Sequence, residues 1–79
     1  MYAHYNDIYK KLLYLARQLD APEPGVIFES QGYQVSSSQL QAWRVGRSHK
    51  KFRPIDGDYV IAFAEGLIQH VKNGGADRE

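Results

Sequence analysis

Residues 35–46, VSSSQLQAWRVG, carry the clearest helix signal in the chain and decide its fold class. Ser36 and Gln39 have the spacing of a capping box. In that motif the serine hydroxyl accepts from the Gln39 amide, and the glutamine side chain accepts from the Ser36 amide. Val35 before the cap and Leu40 after it occupy the two positions of a hydrophobic staple. Leu40 and Trp43 continue an apolar side, and Gly46 ends the helix.

Upstream, Gly32 is placed to end a short helix predicted over Pro22–Gln31, with Val26, Ile27 and Phe28 on its buried side. Pro24 and Gly25 let its start slip by three residues. Before it, Tyr5, Ile8, Leu12, Leu15, Ala16 and Leu19 recur at three- and four-residue spacing, and Tyr9 and Leu13 widen the same face. That helix is expected to start at an Asn6 or Asp7 cap and to stop near Asp20. Asp7 sits four residues before Lys11, the favourable order for an exposed ion pair.

Downstream, residues 47–55 read as a basic loop, because Pro54 disfavours helix at Arg53. Asp56 then caps a fourth helix, with Asp58 in its first turn complementing the helix dipole. Val60, Phe63, Ala64, Leu67, Ile68 and Val71 form its apolar stripe, and Asn73, Gly74 and Gly75 stop it. The expectation is an all-α chain forming one compact four- to five-helix domain over residues 1–79. Its core spans about 6–73, and 74–79 form a flexible tail.

Seventy-nine residues without a cysteine can call on no disulfide. A chain this short buries about 60–65% of its unfolded surface, so pairing as a homodimer would support it. No apolar run approaches the ~20 residues of a membrane span, and the N-terminus does not read as a signal peptide, which points to the cytoplasm. The net charge of +1 conceals an uneven distribution. Residues 1–29 carry three Lys/Arg against four acids, and residues 56–79 carry two against five. Between them, Arg44, Arg47, Lys50, Lys51 and Arg53 face no acid at all. A one-sided segment of this kind is an electrostatic footprint for a partner, or else complements acids elsewhere in the same protein.

Asn6–Ile8 with Lys11–Leu13, the stretch from Ile27 to Trp43, His49–Arg53, and Gly57–Asp58 through Phe63 to Gly66–Ile68 together resemble the DUF1456 family of bacterial proteins. The resemblance spans roughly residues 6–73. Members of that family usually carry two such units in tandem, whereas this chain carries one. The resemblance therefore implies that two copies pair to rebuild the two-unit arrangement. It brings no catalytic residues.

The order helix, glycine, turn, Ser-capped helix also resembles a repressor-type helix-turn-helix, whose second helix reads bases in the major groove. Ser37, Ser38, Gln41 and Arg44 would be the base-reading residues, and Arg47, Lys50, Lys51 and Arg53 would hold DNA phosphates. Two departures stand against it. Gly32 to Ser36 takes four residues where the motif takes two, and Phe28 occupies a position where the motif prefers a small residue.

The alternative is a protein–protein interaction module, an adaptor or an inhibitor of bacterial or phage origin. Its partner would dock on the basic loop or on Tyr2, Tyr5 and Tyr9, since tyrosine offers apolar area with a polar tip. Tyr5 and Tyr9 can equally cover the edge of the core. Trp43 reads as core. Phe52 reads as the anchor of the basic loop, with base stacking as the lesser reading.

Catalysis has no support in the residues. His4, His49 and His70 are far apart with no acid or nucleophile at a telling spacing, the serines are explained by capping, and no glycine-rich phosphate loop occurs. The expected protein is therefore no enzyme and uses no cofactor, metal or small-molecule substrate.

Overall fold

The computed structural model describes residues 2–74, with side chains from residue 5 onward. Among these residues four helices follow one another: α1 (Tyr2–Gln18), α2 (Pro24–Ser30), α3 (Ser37–Arg44) and α4 (Gly57–Lys72). No strand occurs among the described residues, and no helix there is long and apolar enough to cross a membrane. The all-α, four-helix expectation holds. The tail expected beyond Gly74 lies outside the described residues.

Each helix places one aromatic ring at the centre. Tyr9, Phe28, Trp43 and Phe63 come from α1 to α4 in turn, and all are buried. Phe28 lies 5.2 Å from Phe63 and 5.8 Å from Trp43, centroid to centroid, and Tyr9 lies 5.3 Å from Phe63. Such tilted and edge-on pairs contribute about 0.5–1.5 kcal/mol each beyond the area they bury. Tyr59 and Tyr33 extend the cluster outward. Gly66 lets α4 approach α2 closely, because a Cβ there would overlap the Ile27 side chain and lie 3.2 Å from its carbonyl oxygen.

The helix ends follow local chemistry. Asp20, with φ 58°, and Gly32, with φ 87°, take the left-handed conformation that closes α1 and α2. In each case the next residue's amide reaches back five positions, Ala21 to Ala16 and Tyr33 to Phe28. These are Schellman closures, which satisfy carbonyls the helix leaves free. The Ser36–Gln39 capping box is fully formed, and Val35 and Leu40 both pack on the core.

Several expectations need correction. α1 begins at Tyr2, a full turn before the proposed cap, so Asn6 and Asp7 lie inside the helix. Asn6 is buried there, its side chain turned inward to the backbone groups of Trp43, Arg53 and Ile55. α2 starts at Pro24, within the expected slip, and its one-turn core side leaves Val26 outside, 51% exposed. Asp56 occupies the N-cap position of α4, but its carboxylate makes no capping bond. Asp7 pairs with Arg47 across 3.0 Å in place of Lys11.

Candidate nucleic-acid interface

α3 turns Trp43 into the core and leaves Ser37, Ser38, Gln41 and Arg44 exposed. Ser37, Gln41 and Arg44 are four and three residues apart, so they form one stripe along the helix. The stripe borders a cleft of about 410 Å³ between α3 and the second half of α1. Arg17 lines the same cleft and adds a cation that sequence reasoning did not assign. Its only sequence signal is a basic residue in the last turn of α1, which a helix dipole already explains.

The basic loop is exposed but not loose. Two turns fold it, with the His49 amide donating to the Gly46 carbonyl and the Phe52 amide to the His49 carbonyl. The Arg53 amide donates to the Ala42 carbonyl of α3 at 3.1 Å. Asn6 closes the base. Its Nδ2 donates to the carbonyls of Trp43 (3.0 Å) and Arg53 (3.1 Å), and its Oδ1 accepts from the Ile55 amide (3.0 Å). The residue that anchors the loop in the core is Ile55, not Phe52, which is only partly buried. The Ile55 amide is fixed by the bond to Asn6, and its side chain is buried in the core cluster.

All the proposed phosphate ligands, Arg47, Lys50, Lys51 and Arg53, are exposed, and the Arg53–Ala42 bond keeps their loop at the end of α3. Arg47 is engaged by Asp7, but both side chains are more than half exposed. An ion pair of that kind contributes about 0–1 kcal/mol, so a phosphate can replace the carboxylate. Among the described residues, none of the loop's cations is paired with an acid of α4.

The helix-turn-helix comparison fits less well. Six residues, 31–36, separate α2 from α3, and Phe28 sits at the centre of the core where the motif wants a small side chain. The recognition-helix position is filled by a two-turn helix. Groove insertion of α3 does not follow from the fold alone.

The tyrosine surface is reduced. Tyr9 is fully buried and cannot form part of an interface, because its ring completes the aromatic centre. Tyr5 is 42% exposed and lies against Gly57, while the side chain of Tyr2 lies outside the described residues.

Tyr9 carries an unusual feature. Among the described residues its buried hydroxyl has no hydrogen-bond partner, and burial pushes its pKa from 10.0 up to about 12, opposed by the positive charge of Arg44. The folded state therefore keeps this proton at pH values where the unfolded chain loses it. The contribution is complete below about pH 10 and disappears as the pH rises to about 12. Tyr9→Phe removes the unpaired group and should stabilise the protein by about 1 kcal/mol at neutral pH. Across that alkaline window the wild type should lose about 2–3 kcal/mol more than the variant, as read by urea unfolding. Equal losses in both proteins would show that the hydroxyl is solvated.

No protein-family model matches the chain, and neither a curated protein nor a solved structure is significantly similar to it.

Proposed function

We propose that the chain is a cytoplasmic, non-enzymatic regulator that binds nucleic acid through α3 and the loop that follows it. The observation that carries this reading is the exposure of the Ser37–Gln41–Arg44 stripe next to a loop bearing Arg47, Lys50, Lys51 and Arg53. That loop is tied down at both ends, by Asn6 and by the Arg53–Ala42 bond. A pinned loop presents its cations without a large ordering cost on binding, which favours affinity. The cations serve phosphates, a sequence-independent task, and the short polar side chains of α3 suit base edges. The longer α2–α3 turn makes this a variant docking geometry rather than the repressor-type one.

The competing reading, a protein partner docked on the tyrosine side, loses Tyr9 to the core and retains Tyr5 as its exposed representative. The two roles within the proposed interface separate by mutation. Lys51→Ala should weaken binding by a similar factor on every DNA sequence and reduce the salt slope by about one. Gln41→Ala should change the order of preference among sequences. A uniform loss for both variants across a panel of duplexes would remove the base-reading role of α3.

A further inference from the structure

α1 and α4 each carry two apolar stripes, and the fold uses only one of each. Inward, α1 supplies Tyr9 and Ala16, and α4 supplies Val60, Phe63 and Leu67. Outward, Tyr5, Ile8, Leu15 and Leu19 line up along α1 around the half-buried Leu12, which also packs on the core, and Ile61, Ala64, Ile68 and Val71 follow one another at three- and four-residue steps along α4. That spacing is the seam of a helical bundle, in which a second layer of helices covers the outer face. Ile8, Leu15, Ile61, Ile68 and Val71 are between 43% and 61% exposed. Leu12, Leu15, Leu19 and Ile68 help to line an apolar groove of about 390 Å³ between the two helices. A contiguous patch of this kind marks an interaction site.

The two helices run parallel. Tyr5 lies against Gly57 at one end, and the Nε2 of His70 lies 3.2 Å from the Leu19 carbonyl oxygen at the other. Leu12 is therefore roughly level with Ala64. A twofold axis passing through that level lays α1 antiparallel against α4 of a second copy. Ile8 then meets Ile68 of the partner subunit, Leu15 meets Ile61 of the partner subunit, and the small Ala64 lies opposite Leu12.

The charges at the seam's edge agree with the same register. Lys11 falls opposite Glu65 of the partner subunit, and the symmetry repeats the pair. All of these edge groups are exposed within one chain. We infer that the α1/α4 face is the interface of an isologous homodimer, a four-helix bundle made from two copies of this chain. A second copy meets the apolar seam and the edge charges together. A domain this small also gains stability from pairing. None of the residues assigned to the basic surface lines this groove, so pairing leaves that surface open.

The test is sedimentation equilibrium of the full chain from about 1 to 500 µM, with no nucleic acid present, so its outcome is independent of the proposed function. The wild type should approach twice the 9.0 kDa chain mass. Ile68→Glu and Leu15→Glu, both at half-exposed positions, should weaken pairing more than about 100-fold while keeping helical circular dichroism. Lys11→Glu and Glu65→Lys should each weaken it about tenfold at low salt, because each substitution acts at two symmetric contacts. The double swap should restore it. A 9.0 kDa species throughout, or a dimer indifferent to both glutamates, overturns the interface. If either glutamate variant loses its helicity, the swap decides, and absence of rescue overturns the assigned register.

Discussion

Asn6→Ala is expected to destabilise the protein by about 4 kcal/mol and to release the basic loop. The substitution removes three hydrogen bonds and leaves the carbonyls of Trp43 and Arg53 and the amide of Ile55 without their partner. Each buried group stranded in this way costs about 1–3 kcal/mol, more than the net worth of the bond itself. For a chain of this size the total stability is on the order of 4–12 kcal/mol, so the variant should be marginal at 25 °C. Asn6→Asp keeps the shape but turns a charged oxygen toward two carbonyls. It should be at least as damaging at neutral pH and partly recover near pH 4, where a protonated carboxyl can donate. Urea unfolding at both pH values measures the effect, and limited proteolysis locates it. Loss below 1 kcal/mol for the alanine variant would mean that water replaces Asn6 and that the loop needs no clamp.

The second large effect is at Phe28, and it separates this fold from the repressor-type motif. In a repressor-type helix-turn-helix the residue four before the turn glycine is small, so alanine would suit it. Here Phe28 is fully buried and contacts Tyr9, Trp43, Tyr59 and Phe63. Removing a ring from that position should cost about 3–5 kcal/mol, from the transfer of the lost atoms and the cavity left between the helices. A stable Phe28→Ala protein would show that α2 and α3 can close to the tighter motif geometry.

Local chemistry made the helices legible. The capping box at Ser36 and the glycine at 32 each act over a few residues and are found where their spacing places them, whereas the apolar stripe of α4 divides, with Val60, Phe63 and Leu67 buried and Ile68 and Val71 about half exposed. Charge was legible too, since five cations without an intervening acid have to lie near one another in a short segment. The roles of Asn6 and Tyr9 were not. Asn6 bonds to residues 37 to 49 positions away, and no local pattern distinguishes a clamp from a helix cap. Tyr9 lies on the inward stripe of a helix that carries a second apolar stripe beside it, so periodicity alone does not say which of the two is core. For the same reason Ile8 and Leu15, which share the stripe read as core, are nearly half exposed. Arg17 joins Gln41 and Arg44 only because α3 folds back along α1.

The nucleic-acid reading is tested most directly by fluorescence anisotropy with a random-sequence DNA duplex at about 50 and 200 mM salt. If Lys50, Lys51 and Arg53 of a protomer engage phosphates while Arg47 stays with Asp7, affinity should fall about 40-fold between those salts. If Arg47 exchanges its carboxylate for a phosphate, the fall should be about 150-fold. Binding that disappears with such a slope is the predicted result. No binding at the lower salt, or binding indifferent to salt, would contradict the assignment of α3 and its basic loop as a nucleic-acid surface.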